Sequence, residues 1–309
     1  MKKIAYLISA ITAGLYSSAA VADISVSGTG SFAYTDAGGN TSSTMGGGVS
    51  FSMSTTTDAG VTVSASSAIS NDDDSAGSSS AVTGVTALTF GFANGSITVG
   101  QDVGVADGVG LVGELAHYND NQTGITNKPG LGDDEGDGIA VSTSVGDMSI
   151  ALQYVWDGAG NGNIDGATTT SQGGSLSMPV AGGTLTVASA SDDVGGTNMN
   201  ETAVAYSMGV GSGTLSLGFT GTDGDTAASE GESMSAAYST SMGGVDVGIG
   251  YTGHDANSTT AQQTDITLSS ALGGGVSIFA EYSNVSGTVA AETATLSNNT
   301  VAVGTSVSF

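Results

Sequence analysis

Hydrophobic residues recur at every second position through most of the chain, with serine, threonine or glycine between them. The alternation is clearest in the run Met148, Ile150, Leu152, Tyr154 and Trp156. A period of two is typical of β-strands, because successive side chains point to opposite faces of a sheet. The pattern predicts sixteen strands, many of them near the roughly ten residues that a tilted strand needs to cross a membrane. Their expected bounds are 24–35, 47–56, 61–69, 82–92, 96–101, 138–145, 148–156, 173–180, 183–190, 201–208, 213–220, 232–241, 245–252, 264–272, 275–282 and 300–309.

The connections between these strands alternate between short and long. Short turns such as Gly146-Asp147 alternate with long polar segments, of which the 36 residues from Asp102 to Asp137 are the longest. Short turns at one end and long loops at the other are typical of outer-membrane barrels. Most strands lack charge on both faces, and only a closed sheet pairs every backbone group in lipid. The sequence therefore predicts an all-β fold, a transmembrane antiparallel β-barrel over residues 23–309.

The first 22 residues have the pattern of a secretory signal. Lys2 and Lys3 precede an apolar stretch that begins at Ile4, and the segment ends in Ala20-Val21-Ala22. A basic start, a short apolar core and small residues at a cleavage site are the three parts of a signal peptide. We expect cleavage before Asp23 and a location in the outer membrane of a Gram-negative bacterium.

Charge and cysteine content exclude several classes of function. Without residues 1–22 the chain has 287 residues (309 minus 22), with Lys128 as its only base and a formal charge of 1 minus 29, or −28. Such a chain does not neutralise phosphates, which argues against binding nucleic acid or an anionic membrane surface. The chain has no cysteine, so disulfides, thiolate nucleophiles and thiolate zinc sites are impossible.

No catalytic constellation is recognisable, and no enzyme or cofactor is predicted. His117 and His254 are isolated from each other and are interpreted as loop histidines. The acidic run Asp72, Asp73 and Asp74 is interpreted as a solvated loop, and weak calcium binding there is the alternative, because hard cations take carboxylate oxygens. Aromatic residues at the long-loop ends of strands predict a girdle at the outer membrane interface: Tyr34, Trp156, Tyr251 and Tyr282.

Four segments together resemble a known family. They are DISVSG from Asp23, FSMSTTTDAGVTVSAS from Phe51, GSITVGQDVG from Gly95, and the ending VAVGTSVSF. In this order they are similar to the Gram-negative general diffusion porins, particularly the alphaproteobacterial branch. The resemblance implies a homotrimer, a loop after the fifth strand that folds inward to constrict the pore, and Phe309 as an assembly signal for the barrel-assembly machinery. The chain departs from the family pattern because it lacks arginine on the wall opposite that loop.

The resulting functional prediction is a porin through which small hydrophilic solutes and ions diffuse, with a preference for cations. The expected constriction loop carries one base against eight acids, and strand parity places four further acids on the lumen wall. The loop residues are Asp102, Asp107, Glu114, Asp120, Lys128, Asp133, Asp134, Glu135 and Asp137, and the wall residues are Glu201, Asp246, Asp265 and Glu281. The alternative is a secreted or surface adhesin without channel activity.

Overall fold

Seventeen β-segments form the described part of the protein. The computed structural model describes residues 23–37, 39–73, 79–100, 103, 109, 112, 115, 137–157, 169–194, 197–225, 230–256, 259–288 and 295–309. The segments are β1 (Asp23–Ala37), β2 (Asn40–Thr56), β3 (Thr62–Asp73), β4 (Ser79–Thr83), β5 (Ala87–Phe92), β6 (Gly95–Gly100), β7 (Asp137–Val145), β8 (Met148–Asp157), β9 (Thr169–Val180), β10 (Gly183–Val194), β11 (Thr197–Val210), β12 (Gly213–Gly224), β13 (Gly231–Met242), β14 (Val245–Ala256), β15 (Thr259–Gly273), β16 (Val276–Thr288) and β17 (Thr295–Ser308).

The sheet closes into a barrel because β1 pairs with both β2 and β17. Apart from the β3–β5 pairing, every other pairing joins consecutive segments, and all are antiparallel. Both β4 and β5 pair with β3, so the two segments together occupy one strand position. The predicted sixteen-stranded antiparallel barrel is therefore confirmed, with the predicted strand 82–92 divided into two segments. Among the described residues, no helix is long and apolar enough to cross a membrane.

The prediction of uniformly long loops at one end of the barrel is wrong in several places. In the segment 36–46, predicted as a long connection, β1 continues to Ala37 and β2 begins at Asn40, and only residues 195–196 separate β10 from β11. Backbone pairing continues above the expected membrane boundary, where water replaces lipid on the outer side. Polar residues are allowed on both faces there, so the alternation that marks a membrane strand ends before the strand does.

The two faces of the barrel differ in polarity. Large apolar side chains point outward, and they remain exposed on the isolated chain: Leu152 is 57% exposed and Ile249 is 51% exposed. The register keeps such residues on one face from strand to strand, as in the pairs Ile249↔Ile266 and Ile266↔Tyr282. Because outward apolar residues alternate with small or polar inward residues, the outer face is suited to lipid and the inner face to water.

Aromatic residues lie near both ends of the outer face. The predicted girdle residues Tyr34, Trp156, Tyr251 and Tyr282 are all exposed there. The short-turn end carries a second pair that the sequence analysis did not identify. The Tyr206 hydroxyl donates to the Val180 carbonyl oxygen at 3.1 Å, and the Tyr238 hydroxyl donates to that of Val210 at 3.3 Å. Aromatic rings at both interfaces are the arrangement expected of a barrel embedded in a bilayer.

The carboxy-terminal residue closes the sheet at the short-turn end. The Phe309 amide donates to the Gly28 carbonyl oxygen at 3.0 Å, and the Gly28 amide donates to the Phe309 carbonyl oxygen at 2.8 Å. The Phe309 ring occupies the space that a side chain at position 28 would need. Glycine at this position therefore makes room for the terminal ring.

We expect Gly28→Val to displace the Phe309 ring and to destabilise the barrel by about 1–3 kcal/mol, the usual cost of overpacking. Gly30→Val is a matched control on the same strand and face, because a Cβ atom at Gly30 would have no neighbour within 4 Å. Urea unfolding of the two refolded variants in detergent measures the difference. Equal unfolding midpoints for both variants would contradict this role of Gly28.

Candidate functional site

The inner wall between β13 and β17 has an ordered grid of small and polar side chains. Cross-strand pairing aligns Ser235, Thr252 and Gln263 in one row. The next row contains Gly250, Asp265, Ser283 and Thr300. All of these residues are buried, although they face the interior of a barrel. Part of the chain therefore covers this section of the wall.

The connection between β6 and β7 has four described residues, and three of them contact the inner wall: Val109, Val112 and Leu115. Val103 is only 2% exposed. Val109 packs against a patch of small residues on the inner face of β10 and β11, formed by Ala188, Ala190 and Ala203. An inward course for this part of the connection agrees with the predicted loop after the fifth strand.

Two hydrogen bonds fix the same connection to the wall at β13 and β15, two and four strands from β11. The Val112 amide donates to Ser235 Oγ at 3.1 Å, and the Leu115 amide donates to Asp265 Oδ2 at 2.9 Å. Hydrogen bonds to an ionised acceptor are stronger than those between neutral groups. A Leu115 methyl group also lies 3.1 Å from the position of a Cβ atom at Gly248, so glycine leaves room for the leucine. We call these contacts of Val112 and Leu115 the anchor.

Gln263 holds the anchoring carboxylate in position. Its Nε2 atom lies 3.2 Å from Oδ1 and 3.0 Å from Oδ2 of Asp265. Gln263 and Asp265 are two residues apart on β15, so their side chains share the inner face. The carboxylate is 0% exposed and accepts hydrogen bonds from both the wall and the connection.

The four predicted wall acids all lie at inward-facing positions. Glu201, Asp265 and Glu281 are buried, whereas Asp246 is exposed beside the short turn that joins β13 and β14. Register places Glu281 diagonally next to Asp265, because Asp265 pairs with Ser283. Diagonal neighbours in a sheet are close enough for their charges to interact. Asp265 and Glu281 therefore form one negative region of the wall, whereas Glu201 lies on β11 and Asp246 lies at the short-turn end of β14.

Most of the predicted loop acids lie outside the described residues. This applies to Asp102, Asp107, Glu114, Asp120, Asp133, Asp134 and Glu135, and also to Lys128. Asp137 is described and begins β7. Their role at a constriction stays a prediction.

Sequence reasoning missed two inward-facing polar groups. Asp192 is buried on β10 and lies diagonally next to Glu201, which pairs with Ala190. His254 was expected in a loop, but it lies on β14, is buried and has Nδ1 at 2.7 Å from Ser233 Oγ. Both residues lie just beyond the predicted strand ends at 190 and 252. Continuing the inward–outward alternation of each strand by two more residues would have placed both side chains on the inner face.

A calcium site finds no structural support in the described part of the chain. Within those residues, no group of three or more histidine, aspartate or glutamate side chains is arranged to hold a metal ion. Asp72 and Asp73 belong to β3, and Asp74 lies outside the described residues. Calcium binding by this run therefore stays a prediction.

Comparisons with known proteins agree with this architecture. A family model for Gram-negative porins matches residues 8–307. The fold is similar to that of a mutant of Rh. blastica porin, with a TM-score of 0.68, 19% identity, and coverage of 93% of this chain and 100% of that one. It is also similar to a loop-deletion mutant of OmpT from Vibrio cholerae (TM-score 0.70, 11% identity, 93% and 99% coverage). A third similar structure is an anion-selective porin from Comamonas acidovorans (TM-score 0.67, 16% identity, 94% and 100% coverage).

No curated protein sequence matches the chain. The closed barrel and the family match together argue against the adhesin alternative.

Proposed function

Since the chain belongs to the Gram-negative porin family and is an outer-membrane channel, we propose that it passes small hydrophilic solutes by diffusion and prefers cations over anions. Members of this family are channels, and we expect no catalysed reaction and no cofactor. The observation that carries the cation preference is the charge of the inner wall. Glu201, Asp246, Asp265 and Glu281 lie at inward positions, and no lysine or arginine occurs in the described residues.

The width of the lumen relative to the electrostatic screening length decides whether this charge can act on passing ions. At physiological salt, charges are screened beyond about 8 Å, so a wide pore would let anions pass along its axis. The connection anchored at Ser235 and Asp265 narrows the free cross-section next to the acidic wall. Ions that pass there come within the screening length, and the summed potential of the carboxylates selects among them.

The fold itself does not set the sign of the preference. The structure from Comamonas acidovorans is anion-selective, yet it shares this barrel with a TM-score of 0.67. Selectivity therefore depends on the side chains of the lumen, and among the described residues this wall presents carboxylates without lysine or arginine to offset them.

The test is the zero-current potential of the reconstituted channel across a potassium chloride gradient at neutral pH. We expect a cation-selective sign that weakens as salt rises, and as pH falls toward the value near 4 at which free carboxylates protonate. The double variant Glu201→Gln/Glu281→Gln should lower the preference. Asp255→Asn is the matched control, because Asp255 is an exposed acid whose pairing with Glu232 places it on the outer face. An anion-selective sign in the unmodified channel would overturn the proposal.

We further propose a homotrimer, cleavage of residues 1–22 on export, and recognition of the Phe309 end by the barrel-assembly machinery. Support for these three points comes from the family and from the signal-like amino terminus. Conductance steps that occur in groups of three would support the trimer.

A further inference from the structure

Phe279 is the one aromatic side chain of the described strands that points into the lumen. Tyr282 lies on the outer face of the same strand, β16, and Phe279, three positions earlier, has the opposite parity. It shares the inner face with Glu281 and Ser283. The other aromatic residues in these strands lie on the outer face, where the membrane accounts for them. Contact with lipid does not account for Phe279.

The neighbouring strand β17 makes room for the ring. Phe279 pairs directly with Gly304. A Cβ atom at Gly304 would overlap both the Phe279 ring and the Phe32 carbonyl oxygen. The ring therefore extends sideways along the wall over β17 instead of standing straight into the lumen. The next inward pair toward the short turns is polar, with the hydroxyl oxygens of Ser277 and Ser306 2.6 Å apart.

Part of the ring remains accessible to solutes in the lumen. Phe279 is half-buried, whereas Glu281 and Ser283 on the same face are buried. It lies three residues after Val276, where β16 begins at the short-turn end. At about 3.3 Å per residue, the ring is roughly 10 Å along the strand from that mouth of the barrel. Solutes that cross this mouth therefore pass close to the ring.

The charge next to the ring defines the class of solute that it can hold. Glu281 follows Phe279 by two residues on the same face, about 7 Å along the strand, and the described residues include no lysine or arginine. An aromatic face attracts a cation whose centre lies within about 6 Å, and quaternary ammonium groups are well suited to this contact. Their apolar methyl groups can also lie directly on the ring, which removes apolar surface from water.

We propose that Phe279 forms a binding site for organic ammonium cations at the short-turn end of the lumen. The cation lies on the side of the ring turned away from Gly304, and Glu281 supplies negative charge beside it. The inference rests on the proposed function, since a cation-preferring lumen brings such solutes to the ring. The site distinguishes organic from inorganic cations of the same charge, which the summed potential of the wall does not do.

The experiment measures how choline reduces the potassium current of reconstituted channels. Choline should act at lower concentration than its uncharged isostere, 3,3-dimethyl-1-butanol. Phe279→Leu keeps an apolar side chain but removes the ring, so the half-blocking concentration of choline should rise about two- to fivefold. Phe279→Tyr retains a ring and should behave as the unmodified channel. Phe32→Leu is the matched control, because Phe32 is an outward aromatic residue on β1 that pairs with Thr305, next to Gly304.

Three results would overturn the site. They are equal block by choline and its isostere, which means apolar adsorption only; unchanged choline block in folded Phe279→Leu channels; and loss of block in Phe279→Tyr. If Phe279→Leu does not fold, the isostere and the tyrosine variant still decide. Zero-current potentials of the same channels separate this proposal from the preceding one. A cation-selective channel whose choline block does not depend on Phe279 overturns the site alone, whereas an anion-selective channel whose block does depend on it overturns the proposed function alone.

Discussion

Channels with Asp265→Ala should show frequent excursions to higher conductance that are rare in the unmodified channel. The Asp265 carboxylate is the acceptor for the Leu115 amide and is itself held by Gln263. A hydrogen bond to a charged group contributes about 1.5–3 kcal/mol. At about 1.4 kcal/mol per factor of ten, its loss should raise the population of released connection roughly ten- to a hundredfold. Single-channel recording at fixed voltage measures the frequency of these excursions.

Two further variants separate the role of Asp265 in holding the connection from the effect of its charge on ion preference. Asp265→Asn keeps an oxygen that accepts from Leu115, so its current should be nearly as quiet as that of the unmodified channel while its cation preference falls. Asp246→Ala removes an exposed wall carboxylate near the short-turn end, so it should lower cation preference without adding excursions. Quiet recordings from folded Asp265→Ala channels would show that the Leu115 contact does not hold the connection in place.

Strand number and barrel closure were predictable from the sequence because lipid imposes a strict rule on the outer face. Residues such as Leu152 and Ile249 must be apolar at every second position, which leaves a clear period of two. Strand ends were less predictable. The requirement for apolar outer residues ends at the membrane boundary, whereas the backbone pairing of the hairpins continues beyond it. This is why β14 continues beyond the predicted end at 252 to Ala256.

The wall acids were predictable from parity alone, since a side chain in a strand points to one of only two faces. Glu201, Asp265 and Glu281 needed no knowledge of their neighbours. The anchor was not predictable, because it joins Leu115 to Asp265 across 150 positions of the chain.

The mode of anchoring explains how one segment can narrow the pore. The connection contacts the wall at two places four strands apart, with Val109 on the alanine patch of β10 and β11 and Leu115 on Asp265 of β15. Apolar packing supplies contact area at the first place, and a charge-assisted hydrogen bond fixes the position of the connection at the second. A segment held at both places lies against this part of the inner wall and reduces the free cross-section there.

Deleting residues 107–133 should therefore raise single-channel conductance clearly. The deletion removes Val109, Val112 and Leu115, and with them the contacts to the wall at β10–β11, β13 and β15. The remaining connection has nine residues, 101–106 and 134–136. This length is sufficient because Gly100 and Gly138 are register partners on adjacent strands. The strands themselves should remain paired, which circular dichroism and resistance to SDS can verify before recording.

The matched control replaces residues 107–133 by a glycine–serine segment of the same length. It retains the chain length but lacks Val109, Val112 and Leu115, so its current should be noisy, with a mean conductance between those of the deletion and the unmodified channel. The deletion should also weaken cation preference, because a wider lumen lets anions pass more than about 8 Å from the wall carboxylates. Unchanged conductance in a well-folded deletion would place the bulk of this connection outside the path of the ions.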